Sequence, residues 1–595
     1  MACKNNRVAA YAWAMLACLL PVSTSLGQTA PEHRSATRAE IRFDNERSWH
    51  VTARSRLIVG QTGALPEPLQ TEGFAQREVL SQTFRIVASR SQPVTGTAQP
   101  HGSELYRKPE AFGLTAGDVI EQETSFRFQP LMPNTGMDQV FLFPDREQTH
   151  EVSITVFGER PNIRLESSRL VMQRLIGADG GRTNLEATRE PFFQRRGMSH
   201  ALESAPRLAV STHMDSSALG DLMPKPAPIQ GLVVTRGDFE PMRLAALLME
   251  EVRKRSATGA QPPLSIGMQR QNLRPSPRVV SEGQASALEA AILLRDLLVQ
   301  HGHEADLVLA NDRMFAKLPR VPVGLYDTAI VVVPAHGIVV DLSMPGPSRW
   351  FQPDFYGREI LRVSSRSTQF ETLPAMTAAT NRILITADMM VGRDGVVEGQ
   401  SITRSEGPSA LLIHDMAAKL SGSRAGMMQA SLLERQGLDG LIRIGAVEKR
   451  GEEIHAHLGF RLVPTGGGDN VHRISLVPGP AIHRPPLLGL ILALQDTSIK
   501  RVPCRAIEIE QAFIMHLPDR RALVEMPKSV LVEHEQGRYS AQYRLEDSRL
   551  HVSRKLMLDP KTTTCSREQL LNLAPVIRAA GRDFARKIHL RLPDG

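Results

Sequence analysis

Residues 285–310 read ASALEAAILLRDLLVQHGHEADLVLA, and this stretch decides the fold of the middle of the chain. From Ala285 to His301 apolar residues recur at helical spacing, which predicts a helix with one wide apolar face. Gly302 stands where a left-handed residue ends a helix. Residues 305–310 then have the apolar, branched composition of a strand. The predicted face is lined by Ala287, Ala290, Ala291, Leu294, Leu297 and Leu298.

The segments around this helix complete an α+β core, predicted over 233–375. Upstream, Asp238 can cap a helix, and a polar, proline-bearing stretch follows from Ser256 to Pro277. Downstream, the apolar runs 329–333 and 338–341 predict two strands of a hairpin, joined by a turn containing His336. The apolar face of the upstream helix is predicted from Met242, Leu244, Ala245, Leu247, Leu248 and Val252.

In the regions that flank this core, the spacing of apolar residues changes from the helical period to the period of two that is typical of strands. Residues 41–232 consist of short alternating runs with hardly any helical stretch between them, which predicts an N-terminal antiparallel β-sandwich. Residues 28–40 before it are expected to be a disordered leader. Residues 376–595 are predicted to form a β-rich domain with inserted helices near 409–419 and 425–435 and a terminal helix from Arg567.

The first 27 residues indicate export. Lys4 and Arg7 precede an apolar run that ends near Leu20, and small residues follow up to Gly27. This order is typical of a secretory signal peptide, and cleavage is predicted after Gly27. A lipid-modified Cys18 is the alternative. We therefore expect a periplasmic or secreted protein without a transmembrane segment after signal removal.

Composition narrows the class of protein. The 595 residues exceed what one hydrophobic core serves, so about three or four domains are expected. Hydrophobic residues make up 42% and charged residues 23%, which is the balance of a globular chain and excludes a disordered or polytopic membrane protein. A net charge of +8 over this length is a weak argument for nucleic acid, and we expect no nucleic-acid partner.

Two cysteines remain if the signal is removed. Cys504 and Cys565 lie in one predicted domain and can pair in an oxidising compartment, or they can remain two separate buried thiols. Two cysteines cannot form a four-cysteine zinc site. We expect no cofactor and no metal.

The order of elements in the middle block resembles the transglutaminase-like cysteine-enzyme core. Residues 293–298, 301–305 and 308–309 follow the pattern of helix, glycine and strand that this core shows after its nucleophile. The wider chain resembles a bacterial family of exported transglutaminase-like proteins, in which β-rich domains precede and follow the core. The turns at 114–121 and 394–399 resemble those of the family's flanking domains.

The resemblance implies three site positions, two of which hold residues without the required chemistry. Such a core uses a cysteine at a helix N-terminus, a histidine that takes its proton and an aspartate that orients the histidine. Here the nucleophile position falls on Ala287, the histidine position on Thr328 and the aspartate position on Asp341. Ser286, one residue earlier, would point about 100° away on the helix. The triad is therefore predicted to be degenerate, with no catalytic residue.

Other motifs receive simpler interpretations. Arg236-Gly237-Asp238 coincides with a helix cap, and Gly466-Gly467-Gly468 lacks the ending of a phosphate loop. His301 and His303 flank a helix end, where the helix dipole favours them, and a metal-ligand role is the alternative. His336 is interpreted as an exposed turn residue.

Two functions from different classes follow. The first is a non-catalytic binding or scaffolding protein of the cell envelope, whose partner is an unidentified envelope protein or the cell-wall polymer. The second is an active acyl-transfer enzyme, transglutaminase-like or peptidase-like, that uses an unrecognised nucleophile. The residues at the three triad positions favour the first.

Overall fold

A computed structural model gives the architecture of the chain. It describes strands between residues 36 and 211, and then residues 223–230, 239–255, 273–310, 328–421, 425–464, 471–479, 486–495 and 501–592. The predicted signal peptide, residues 28–35 of the predicted leader, Arg236-Gly237-Asp238 and Gly466-Gly467-Gly468 lie outside the described residues.

Twelve strands form two sheets in the described N-terminal region. The first sheet has the order β10-β11-β8-β1-β2-β6-β4-β5, and the second has the order β3-β7-β12-β9. The strands are β1 (Ala36–Asp44), β2 (Ser48–Ile58), β3 (Gln70–Gly73), β4 (Ala75–Ala88), β5 (Thr95–Gly96), β6 (Val119–Pro130), β7 (Asp138–Leu142), β8 (Val152–Phe157), β9 (Arg164–Ser168), β10 (Met172–Gln173), β11 (Thr183–Ala187) and β12 (Arg207–Ser211).

Two expectations for this region were wrong. Disorder was expected up to residue 40, but β1 begins at Ala36 and pairs with β2 from its first residue, Ala36 opposite Arg56. A purely antiparallel arrangement was expected, but β1 also pairs in parallel with β8, Ala39 opposite Ile154. Sequence alternation is the same for both pairings, since it reports the pleat and not the strand direction.

The described part of the middle region holds three α-helices and five strands. The helices are α1 (Pro241–Arg255), α2 (Ser276–Glu282) and α3 (Ala287–Gln300). The strands β13 (Asp306–Ala310), β14 (Thr328–Val333), β15 (Ile338–Val340), β16 (Glu359–Val363) and β17 (Thr368–Thr372) form one antiparallel sheet in the order β15-β14-β13-β16-β17.

Helix α3 is buried around its whole circumference. Every residue from Leu288 to Leu298 is buried, because α1, α2, β13 and β14 all pack against the helix. The predicted apolar face therefore covers too small a part of the helix surface. A helix that is hydrophobic all round is buried on every side. In α1 the predicted inward residue Leu247 is 37% exposed, since the buried stripe runs beside it through Leu244 and Leu248.

The C-terminal region is built on a second eight-stranded sheet, in the order β20-β21-β19-β18-β24-β27-β26-β25. Its two halves meet where β18 and β24 pair in parallel, and every other pair is antiparallel. The strands are β18 (Arg382–Val391), β19 (Val397–Glu406), β20 (Asp439–Arg450), β21 (Glu453–Val463), β24 (Ile507–His516), β25 (Val530–His534), β26 (Gly537–Glu546) and β27 (Arg549–Leu558).

Among the residues that the structure describes here, four α-helices and two short ribbons accompany this sheet. The helices are α4 (Pro408–Ser421), α5 (Ala425–Arg435), α6 (Pro486–Gln495) and α7 (Arg567–Phe584). One ribbon pairs β22 (Val471–Ser475) with β29 (Lys587–Arg591), and the other pairs β23 (Arg501–Pro503) with β28 (Thr564–Ser566). Ser566 and Gln569 form the capping box predicted for α7. A disulfide joins Cys504 to Cys565 next to the second ribbon.

The chain is thus a multidomain α+β protein with β-rich sheets and seven α-helices in its described part. It divides into two compact units, of which the first holds residues 1–216 with 266–272 and 319–325. The second holds the rest, from Ser217 onwards, so the middle and C-terminal regions share one unit although each has its own sheet. Among the described helices, none is both long and apolar enough to cross a bilayer.

Candidate functional site

The N-terminus of α3 is where the sequence predicts a lost nucleophile. Ala287 is the first helical residue and is exposed, and Ser286 is the N-cap. The Glu289 N–H donates to Ser286 Oγ at 3.2 Å, and the Ser286 N–H donates to Glu289 Oε2 at 3.0 Å. This capping box satisfies two of the N–H groups that a helix start leaves free. The Ser286 hydroxyl oxygen therefore acts as a hydrogen-bond acceptor for the helix backbone.

Arg274, which lies before α2, binds the Glu289 side chain at the same helix start. Its Nη2 lies 2.7 Å from Glu289 Oε2, and its Nε and its backbone N–H both donate to Glu289 Oε1, at 2.9 and 3.1 Å. Burial opposes ionisation of Glu289, but the hydrogen bonds from Arg274 and Ser286 outweigh it, so the pKa of this carboxyl is lowered. The buried Glu289 therefore remains a carboxylate that belongs to the helix cap.

The other two predicted positions lie on the hairpin that packs against α3. Thr328 is the first residue of β14, opposite Ala310 of β13. Asp341 directly follows β15, whose last residue, Val340, pairs with Val331. Thr328 is half-buried, and Asp341 is 7% exposed. The helix start, the strand start and the strand end that the sequence selects thus lie on connected elements, since β14 packs against α3 and pairs with β15.

Both carboxylate oxygens of Asp341 are engaged without a histidine. Oδ1 accepts from the Ser343 backbone N–H at 2.8 Å and from the Ser343 hydroxyl at 2.7 Å. Oδ2 accepts from the Gln352 side-chain amide at 2.6 Å. The bond to Ser343 is the turn that aspartate commonly makes with the backbone two residues on. Gln352 supplies an N–H donor of the kind that an imidazole supplies to such an aspartate in a triad.

Arg253 of α1 fixes the loop that follows Asp341. Its guanidinium donates to the carbonyls of Leu342 (2.9 Å from Nη2), Met344 and Pro345 (3.3 Å from Nη1). Burial lowers the pKa of Arg253, and the negative charge of Asp341 partly offsets this effect. The Arg253 guanidinium therefore binds backbone oxygens and also interacts electrostatically with the Asp341 carboxylate.

The middle of α3 carries a second buried charge. Asp296 accepts from Arg295 Nε at 2.9 Å and from the Ser276 hydroxyl at 2.6 Å, and Arg295 also donates to Pro224 O. Burial raises the pKa of Asp296 against the effect of these partners. These bonds fasten residues near 224 and helix α2 to α3, and they give Asp296 a structural role.

The histidines near α3 lie at its far end. His301 caps the helix, with Nδ1 2.8 Å from Leu297 O, and a helix of this length places it about 20 Å from Ala287. His303 and the exposed His336 meet edge to face, with their ring centroids 5.4 Å apart. No group of three metal-ligating side chains occurs among the described residues. These imidazoles are too far away to act as a base at Ala287.

The chemistry open to the site follows from these contacts. The methyl group of Ala287 cannot attack a carbonyl, and the hydroxyl of Thr328 is no base near neutral pH. Arg274, Arg253 and Gln352 were not predicted from the sequence, because they reach the site from other elements. The bond to Ser343 had a local signal, an aspartate two residues before a serine in a turn.

A separate small pocket, open to solvent, lies beside the disulfide. Asp354, Tyr356, Met376, Cys504 and Arg505 are among its lining residues, and Arg505 forms an ion pair with Asp354. Burial raises the pKa of Tyr356 to about 12, so its phenol stays protonated at neutral pH. The bonded Cys504 provides no thiolate there.

Comparison with known proteins shows a similar fold in a solved structure. No family model matches the chain, and no curated protein matches it. Among solved structures, the 2.00 Å crystal structure of a protein from Parabacteroides distasonis ATCC 8503, described as a putative protease, matches with a TM-score of 0.58. The match covers 94% of this chain and 100% of the other at 12% identity. At that identity the two chains share a fold across nearly their whole length.

Proposed function

We propose that this chain is an exported cell-envelope protein whose middle region is a degenerate transglutaminase-like core that binds or scaffolds and does not catalyse. The observation that carries the proposal is the state of the three site positions. Ala287 and Thr328 lack the chemistry of nucleophile and base, while Asp341 has both oxygens engaged by Ser343 and Gln352. An aspartate bonded in this way has no imidazole to orient.

The arrangement around these residues supports the family assignment. A capped, buried helix packs on an antiparallel hairpin, and the three positions lie at the helix start and on that hairpin. The structural neighbour described as a putative protease supports an ancestry among hydrolytic or acyl-transfer enzymes. Members of a catalytic triad act as a unit, so the loss of two removes most of the catalytic power.

The second candidate is an active peptidase-like or transglutaminase-like enzyme, and one contact favours it. The exposed Ser343 hydroxyl donates to the Asp341 carboxylate at 2.7 Å, so a hydroxyl and a proton acceptor are already in contact. Ser343 is the residue through which that enzyme would act.

Assays on the mature full-length protein distinguish the two candidates. We expect no amine incorporation and no peptide hydrolysis above background, both for the wild type and for Ser343→Ala. Turnover by the wild type that Ser343→Ala abolishes would establish the second candidate and end the first.

A binding role is tested at the same surface. Ala287→Trp places a large side chain at the exposed helix start, and Ala585→Trp does so at the exposed end of α7. We expect Ala287→Trp to lose a partner that crosslinks to the wild type in intact envelopes, and Ala585→Trp to retain it. Equal recovery of the partner by both variants would exclude the helix start as the binding surface.

A further inference from the structure

The ribbon of β22 and β29 carries basic side chains on one face. In the antiparallel register Arg473 lies opposite His589, with Arg591 and Lys587 two residues away on either side along β29. Opposite residues and residues two apart share a face of a sheet. All four side chains are exposed, whereas the alternate residues Ile474, Ile588 and Leu590 are buried.

A third segment extends this face. Leu523 bridges to Leu590, and the Val524 N–H donates to His589 O at 3.0 Å. The turn just before it, Arg520–Ala522, packs against β29 and exposes two further arginines. We call the combined surface the basic ribbon. Its basic residues are Arg473, Arg520, Arg521, Lys587, His589 and Arg591.

The arginines of the basic ribbon are poorly compensated. Within the part of the chain that the structure describes, no carboxylate forms an ion pair with Arg473, Arg591 or either arginine of the turn. Two described acids lie next to the turn in sequence, the exposed Glu525 and the exposed Asp519, whose Oδ1 accepts from the Arg521 backbone N–H. Lys587 is not counted with these arginines, because it already interacts with another group of the protein.

Such clustering costs stability in the free protein. Neighbouring positions on one sheet face lie roughly 5–7 Å apart, which is within the screening length of about 8 Å at physiological salt. Like charges at these positions repel and destabilise the pairing. Elsewhere in the second unit some strand arginines do lie beside acids, for example Arg461 with Glu398 and Arg382 with Glu508. The four arginines of the basic ribbon have no such partner among the described residues, so their charges are complementary to those of an external anion.

We propose that the basic ribbon docks the protein on an anionic phospholipid surface. Val524, which is 51% exposed, lies among the cations and can enter the layer beneath the headgroups. The basic ribbon has no Phe, Tyr or Trp, the side chains on which single-stranded nucleic acids stack. A lipid surface therefore fits the face better than a single-stranded nucleic acid does, and a duplex is distinguished by experiment. This inference does not depend on the proposed function, since it would hold equally for an active enzyme.

Vesicle binding by the full-length mature chain tests the inference. The probe is phosphatidylcholine vesicles with and without phosphatidylglycerol, and the variant is the double substitution Arg473→Gln, Arg591→Gln. The matched control is Arg404→Gln, Arg443→Gln, which removes two exposed strand arginines outside the basic ribbon. We expect the wild type to bind only the anionic vesicles, with affinity falling as salt rises. The ribbon variant should lose roughly fivefold per arginine, and the control should bind like the wild type.

Each other outcome counts against the inference. Equal weakening of the ribbon variant and the control would mean that net charge alone drives binding. Failure of the wild type to bind anionic vesicles would overturn the proposal. Binding to a DNA duplex but not to vesicles, lost with Arg473 and Arg591, would assign the face to nucleic acid instead. Circular dichroism of both double variants checks that each is folded.

Discussion

Arg554 lies wholly inside the second unit, in the middle of β27, although its neighbours in the alternating pattern are leucine and valine. Its Nε is 2.8 Å from Asp583 Oδ2, and its Nη1 donates to Leu476 O at 2.7 Å. The hydroxyls of Tyr539 and Tyr543 donate to the same carboxylate at 2.5 and 2.6 Å. Burial is the main cause that raises the pKa of Tyr543, so both phenols remain donors at neutral pH. The cluster binds the end of α7 to the sheet.

We expect Arg554→Met to lower the free energy of unfolding of the second unit by about 3–5 kcal/mol, because Asp583 would be left as a buried, poorly compensated charge. Arg538→Met, at an exposed position of β26, is the control and should change it by no more than about 0.5 kcal/mol. Urea denaturation followed by circular dichroism measures both. Equal effects of the two substitutions would show that the buried pair contributes nothing to stability.

Single residues also mark the limit of what the sequence predicts. Alternation places residue 554 inward, yet nothing local says that an arginine there will find Asp583 on a helix far along the chain. At the candidate site the sequence selects Ala287, Thr328 and Asp341 but not Gln352, whose amide reaches Asp341 from a loop. A contact between side chains on different elements depends on tertiary packing, and periodicity does not report it.

Helix α3 shows the same distinction at the scale of an element. Its start at Ser286 and its end before Gly302 follow from a capping box and a left-handed glycine with φ +86°, both local signals. Strands β16 and β17, helix α2 and helix α6 were not predicted. Helix α6 is almost entirely apolar, and such a run does not distinguish a buried helix from a buried strand.

The lowered pKa of Glu289 makes the stability of this helix start dependent on pH. The ionised form is favoured in the folded state, so its contribution is complete above the unfolded value of 4.5 and is lost as pH falls through the lower folded pKa. We expect Glu289→Gln to lower the Tm at neutral pH, and the difference from the wild type to shrink as the pH falls below 4.5.

Thermal unfolding followed across this pH range provides the measurement. Glu304→Gln, an exposed carboxylate beyond the other end of α3, serves as the control and should give a small difference at every pH. A difference for Glu289→Gln that stays constant through acid pH would contradict the role given to the Arg274–Glu289 pair.

At the scale of the whole molecule, the order of a β-rich region, an α+β region and a second β-rich region followed from changes of period along the chain. The sharing of one compact unit by the last two regions did not, because it depends on contacts between elements distant in sequence, such as Lys449 Nζ donating to Pro347 O at 3.0 Å. The parallel pairs β1–β8 and β18–β24 were missed for the same reason.

Export and oxidation of the chain are checked by one experiment. We expect the native protein to begin at Gln28 and to hold Cys504 and Cys565 as a disulfide, because they are the only thiols left after cleavage at Gly27. Peptide mapping of protein from its native compartment, with and without reduction, reads both features. A chain that starts at Met1 or at a lipid-modified Cys18, or free thiols at both cysteines, would contradict the expectation.

The parallel pairing of β18 with β24 has a consequence for how the chain folds. Strands β18 to β21 pair with near neighbours, as do β24 to β27, but the parallel pairing joins Arg382 to Glu508 across 126 residues. As the chain emerges where it folds, the first four strands are complete well before β24 arrives, so the edge of β18 stays open with its backbone groups unpaired. In the interval between the arrival of β18 and that of β24 this open edge can pair with a strand of another chain, and a chaperone that covers the edge would prevent such aggregation.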